Sequence, residues 1–251
     1  MRLVGRVARN IVRRIGYGMV RHVAKPDSPL DFTESERHIV HEVSLFTMTS
    51  PESIVSLCRA VEYVVANDIP GAIVECGVWK GGSMMAAALT LERLGQTDRH
   101  IHLFDTFEGM TTPSEVDVSV VGKAASDLLK VSDRSARVWC CVPVESVRAA
   151  LYRTGYDRSR IHFVQGPVEQ TVPGNAPEQI ALLRLDTDWY ESTKHELTHL
   201  WPRLVSGGVL IVDDYGYWLG ARQAVDEYIA TNRLRILLSR IDYTGRIAVK
   251  P

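Results

Sequence analysis

Residues 72–83 read AIVECGVWKGGS. A mostly apolar run, Ala72 to Cys76, meets three glycines (Gly77, Gly81 and Gly82), and a helical pattern opens at Ser83. A strand with no wet face, followed at once by a helix, is the repeating unit of a parallel sheet covered on both sides. The same grammar recurs downstream. IHLF (101–104) ends at Asp105, IHFVQG (161–166) at a glycine, ALLRLD (181–186) at Asp186, and VLIVDD (209–214) at two adjacent carboxylates. Helical periodicity covers 53–67, 83–94, 191–205 and 220–231, and Thr49-Ser50-Pro51 is a good start signal for the first of these. In the tail, RILLSRIDYTGRIAVK, two strand-like runs flank Asp242-Tyr-Thr-Gly245, which reads as a hairpin. The fold class is α/β: a single doubly wound, mostly parallel, Rossmann-like sheet with a C-terminal antiparallel hairpin. Residues 47–251 form this domain, residues 1–46 a basic helical extension, and the irregular stretch 111–148 a lid or substrate insertion.

The chain has 251 residues, 45% hydrophobic and 24% charged, enough to bury a core without staples. Its four cysteines lack C-x-x-C spacing, and Cys58 and Cys76 sit in apolar patterns as buried thiols, which fits a reducing, cytoplasmic setting. The net charge of −1 hides an asymmetry. Residues 1–25 carry seven basic side chains and no acid, and removing those 7 from 29 leaves 22 basic against 30 acidic residues. An acidic globular part excludes a nucleic-acid binder. Arginines interrupt every candidate apolar core of a secretory signal, and no run approaches a membrane span. At helical spacing Arg2, Arg6, Arg9 and Arg13 form one stripe, opposite Val4, Val7, Ile11, Ile15 and Met19. This segment is expected to pack on its own domain or on a second subunit of a homo-oligomer. The alternative is that residues 2–23 lie on an anionic membrane surface.

In open parallel sheets ligands bind beyond the carboxyl ends of the strands. Those ends hold Glu75, Asp105, Gln165, Asp186 (with Asp188 just after it), Asp213 and Asp214, a polar bias that core packing does not require. Glycines in the first turn let backbone approach a ligand, yet G-x-x-x-G-G is not the dinucleotide spacing G-x-G-x-x-G. Glu75 would suit an ammonium group and Asp105 the hydroxyls of a ribose. An acid and a glycine turn on the first strand, with an acid ending the second, is the usual layout of S-adenosylmethionine sites. Asp186, Asp213 and Asp214 at one sheet edge suit a hard cation such as Mg²⁺. Asp188, two residues past Asp186, is the candidate general base.

The blocks VECGVWKGGSMMAAAL, HLFDTFEGM, RLDTDWYEST and GGVLIVDDYG resemble the TylF-type macrocin O-methyltransferase family, in family order from about Thr47 to the end. The resemblance implies a class I methyltransferase fold and an S-adenosylmethionine-dependent O-methyltransferase of antibiotic biosynthesis acting on a small-molecule glycoside, with Mg²⁺. It also implies that Thr49 and Ser50 close over the methionine end of the cofactor, that Gly77, Gly81 and Ser83 contribute to its turn, and that Gln165 and Gly166 lie near the adenine. A catechol-like phenol would satisfy the same metal geometry. One rival motif stands outside the resemblance. His195-Glu196-Leu197-Thr198-His199 is a literal H-E-x-x-H, the signature of a zinc metallohydrolase. That motif needs a third ligand and an open cleft, and its histidines are expected on an exposed helix flank.

Overall fold

The computed structural model describes Pro29 and residues 31–251; the basic stripe of residues 2–23 lies outside them. Seven strands form one sheet in the order β3-β2-β1-β4-β5-β7-β6. β1 (Ala72–Cys76), β2 (Ile101–Asp105), β3 (Ile161–Gln165), β4 (Ile180–Leu185) and β5 (Leu204–Val212) are parallel. β7 (Arg246–Val249) runs antiparallel to β5 and pairs with the two-residue β6 (Ser239–Arg240), so the predicted hairpin is present with a minimal outer strand.

Alternation along these strands builds two cores. Ile73, Leu103, Leu182, Val209 and Ile211 pack against the face carrying α1 (Glu34–Val43), α2 (Pro51–Ala66), α3 (Gly82–Arg93) and Val147, Ala150 and Leu151 of a later helix. Val74, Cys76, Phe104, Leu183, Leu185, Leu210 and Val212 face Leu197, Leu200 and Val225 on the other side. All five residues of β1 and all six of β4 are buried, which is why they read as continuous rather than alternating. Ser50 caps α2, its hydroxyl accepting from the Ser53 amide, with Pro51 at the first helical position.

Two boundaries differ from expectation. The helix predicted over 191–205 stops at Leu200, a 3₁₀ turn spans Trp201–Arg203, and β5 begins at Leu204 rather than Val209. The register jumps between Ile180↔Leu204 and Leu182↔Val209, so Val205 to Gly208 bulge from the ladder. Stretch 111–148 is not a continuous loop. It holds a helix at Ala125–Val131 and a 3₁₀ turn at Arg137–Trp139, with single bridges Val118↔Ala124 and Ser119↔Trp218. No helix among the described residues is long and apolar enough to cross a membrane.

Chain order reverses between β1 and β4. At that switch point the flanking loops diverge and open a crevice above the strand ends.

Candidate active site

A cavity of about 470 Å³ occupies that crevice. This is within the usual range for small-molecule sites. Thr49, Gly77, Ser83, Asp105, Gly166, Asp186, Asp188, Asp213 and Asp214 all line it. Met110 and Thr111, at the start of the irregular stretch, and Cys140 within it contribute to the wall, together with Trp218.

The first glycine turn is shaped by contact rather than by flexibility. Gly77 has φ +83°, and a Cβ there would lie 2.0 Å from the backbone oxygen of Asp186. The end of β1 therefore touches the end of β4 with no room for a side chain. Beyond the turn, Asp105 organises the wall. Its Oδ2 accepts from the amides of Val78 (2.6 Å) and Trp79 (3.1 Å), and its Oδ1 from the amide of Phe107 (2.6 Å). Burial lifts its pKa above the ordinary carboxylate range, against the pull of these three amides.

Four predicted residues sit elsewhere. Ser50 is committed to capping α2 and donates its hydroxyl to Asp242. A Cβ on Gly81 would press into Leu151 and Val147, so this glycine serves helix packing. The side chain of Gln165 is exposed. Glu75 is 1% exposed and accepts from Arg184 (2.8 Å) instead of facing the cavity, while its Oε2 has no hydrogen-bond partner among the described residues.

Arg184 is the residue that sequence reasoning missed. Glu75 and Arg184 are register partners on β1 and β4, which places them side by side on one sheet face. The guanidinium, 2% exposed, also donates to Asp186 (2.6 Å) and Thr49 (3.0 Å) and pairs with Asp213 (2.9 Å). A charged residue inside the otherwise apolar run ALLRL was the available signal: it cannot be buried without partners.

One guanidinium does not offset the acids around it. Oxygens of Asp186, Asp188 and Asp214 lie within 4.8 Å of one another. Asp214 Oδ2 is buried with no hydrogen-bond partner among the described residues. Burial, reinforced by neighbouring carboxylates, pushes Asp186 and Asp214 well above the usual range; Arg184 opposes the shift in both. Asp188 is pushed up to about 7, chiefly by burial, with hydrogen bonding to Asp214 pulling the other way. Asp188 also holds a left-handed backbone, φ +67°, costly for a residue with a Cβ and frequent at functional sites. Convergent hard oxygens, one of them unpartnered, fit a divalent cation. Asp186 and Asp213 each commit one oxygen to Arg184, which orients the carboxylates that remain.

The H-E-x-x-H motif is not assembled for metal. Glu196 is fully buried and accepts from Thr187 Oγ1 at 2.9 Å. His195 and His199 are half-buried rather than exposed, and His195 Nε2 lies 2.9 Å from the carbonyl of Val172. Neither histidine belongs to a three-residue ligand cluster among the described residues.

The family model described as macrocin-O-methyltransferase (TylF) matches residues 19–249. The chain is 35% identical over 199 residues to an 8-demethyl-8-(2,3-dimethoxy-α-L-rhamnosyl)-tetracenomycin-C 4'-O-methyltransferase of Streptomyces olivaceus, covering 79% of this chain and 73% of that relative. It is 28% identical over 231 residues to the mycinamicin III 3''-O-methyltransferase of Micromonospora griseorubida, covering 91% and 89%. The solved structure of the O-methyltransferase NovP superimposes with a TM-score of 0.71 at 32% identity, covering 82% of each chain.

Proposed function

The chain belongs to the macrocin-O-methyltransferase (TylF) family and is an S-adenosylmethionine-dependent O-methyltransferase, and from that premise we propose that it methylates a sugar hydroxyl of a natural-product glycoside with the help of a divalent cation. The relatives support the substrate class, since they are named for O-methylation of a rhamnosyl-tetracenomycin and of mycinamicin III. The observation that carries the cation is the convergence of Asp186, Asp188 and Asp214 around an unpartnered buried oxygen.

In this reading the glycine turn after β1, Ser83, Asp105, Gly166 and Thr49 hold the methyl donor. Asp186 and Asp214 would hold Mg²⁺, which would supply Lewis acidity toward neighbouring hydroxyls; Asp213, expected as a third ligand, is paired with Arg184 and lies outside the carboxylate cluster, where Asp188 stands instead. Asp188 takes the proton. A sugar hydroxyl is nearly as weak an acid as water, whose pKa is ~15.7, so the proton must leave as the oxygen–methyl bond forms and the sulfur–methyl bond breaks. Burial raises the pKa of Asp188 above that of an exposed aspartate, which strengthens it as a base. Arg184 keeps the neighbouring acids in place, and Met110, Thr111 and Cys140 close the wall toward the irregular stretch, which serves as the lid.

The test uses a panel of glycosylated natural products with labelled methyl donor. Transfer to a sugar hydroxyl is expected, abolished by chelator and restored by Mg²⁺. Asp188→Asn should lower kcat about 10²–10⁴-fold, while the affinity for S-adenosylhomocysteine stays unchanged. Methylation of phenols alone would refute the sugar assignment, and full activity in excess chelator would refute the cation.

A further inference from the structure

A second cluster lies at the other end of the sheet, at the amino ends of β2 and β3. His102 and His162 are direct register partners, and His100 precedes β2 by one residue, two before His102. Period-two geometry therefore puts all three rings on one face. His102 stacks on His162 with centroids 4.4 Å apart, His100 stacks on His162 at 5.0 Å, and a ring nitrogen from each lies within 4.8 Å of the others. The cluster opens into a cleft of about 670 Å³, shared with Asp68, Asp98 and Arg99.

Packing alone explains part of this. His100 Nδ1 and His162 Nε2 are 2.7 Å apart and share one proton as donor and acceptor. His102 gains nothing from that bond: its Nδ1 is buried and has no hydrogen-bond partner among the described residues. A polar atom left so costs about 1–3 kcal/mol, and any ring facing solvent instead would avoid it. We propose that His100, His102 and His162 form a second metal site, for a borderline transition ion such as Zn²⁺, that ties the edge strand β3 to β2. Three imidazoles select Zn²⁺, Ni²⁺ or Cu²⁺ over Mg²⁺, and water in the cleft completes a tetrahedron. Zinc–nitrogen bonds of ≈ 2.0–2.1 Å put ligand nitrogens roughly 3.4 Å apart, so ring rotations must open the 2.7 Å His100–His162 spacing and bring nitrogens now within 4.8 Å to that distance. Burial, then the neighbouring histidines, lower the pKa of His102 to about 4, and burial lowers that of His162; neutral imidazole is the ligand form. One group opposes the ion. Arg160 Nη1 sits 2.8 Å from His100 Nε2, while its Nε is 4.0 Å from Asp157.

The experiment is a Co²⁺ titration of the full, tag-free chain in a large excess of Mg²⁺, which saturates the aspartates. One equivalent should give a tetrahedral visible band that Zn²⁺ displaces. Loss of an outer-shell partner alone weakens metal sites 10–100-fold, so His102→Phe or His162→Phe should weaken binding at least about tenfold, with Mg²⁺-dependent methyl transfer unchanged. Arg160→Gln should tighten it. The absence of the band in the wild type, or an undiminished band in His102→Phe, would overturn the site. Should these variants lose their fold, diethyl pyrocarbonate footprinting of the wild type decides instead: Zn²⁺ must protect His100, His102 and His162, and unchanged modification refutes the proposal. Failure of either arm leaves the methyltransferase reading untouched, because the two sites share no residue.

Discussion

Replacing Arg184 by methionine removes the only cation in contact with Glu75, Asp186 and Asp213 among the described residues. The three partners are not equivalent. Asp186 and Asp213 keep 26% and 17% of their side-chain surface exposed and can rehydrate. Glu75 keeps 1% and cannot. The cost is therefore that of one sealed, uncompensated carboxylate, about 3–5 kcal/mol, rather than three times that figure. For a domain of this size each kcal/mol moves Tm by about 2–4 °C, so thermal unfolding at pH 8 should fall by roughly 6–20 °C. Circular dichroism melts provide the measurement. The double variant Arg184→Met/Glu75→Gln should recover more than half of the loss, since the sealed charge is gone while the methionine packs as before. A single variant melting within about 2 °C of the wild type, or a double variant no better than the single, would show that the guanidinium does not hold this site together.

Glu75 itself predicts a pH dependence. Burial raises its pKa from 4.5 to about 7, with Arg184 opposing the shift. The folded state thus binds a proton that the unfolded state releases between those values, so this residue's contribution to stability falls as pH rises from about 4.5 through about 7, by about 3 kcal/mol. Glu75→Gln should flatten that slope in melts taken from pH 5 to 8, and an unchanged slope would contradict it. Gly77→Ala forces a Cβ to within 2.0 Å of the Asp186 oxygen at φ +83°. Calorimetry should then show S-adenosylhomocysteine binding weakened at least about tenfold, because β1 and β4 must separate where the turn and Asp186 meet; one tenfold step corresponds to about 1.4 kcal/mol.

The fold was legible because its signals are local. Continuous apolar runs such as AIVEC and ALLRL, with polar stops and helices between them, already imply parallel strands buried on both faces, and the tail reads as a hairpin. The start of β5 was not legible: helical periodicity runs to 205 and the apolar run begins only at Val209, and pairing with β4 draws Leu204 into the ladder around a bulge. For the site, sequence determined which carboxylates stand at strand ends, since period-two geometry and the end of each apolar run place Asp105, Asp186, Asp213 and Asp214 at one edge. What tertiary structure decided was their company. Register between β1 and β4 sets Glu75 beside Arg184 and withdraws it from the cavity. The left-handed turn at Asp188 brings its carboxylate to Asp186 and Asp214. Register between β2 and β3 likewise stacks His102 on His162, 60 positions apart in the chain. A chain carries its own periodicity but not the alignment of one strand against another, and where charges meet across strands, that alignment settles which are paired and which are left to bind a ligand.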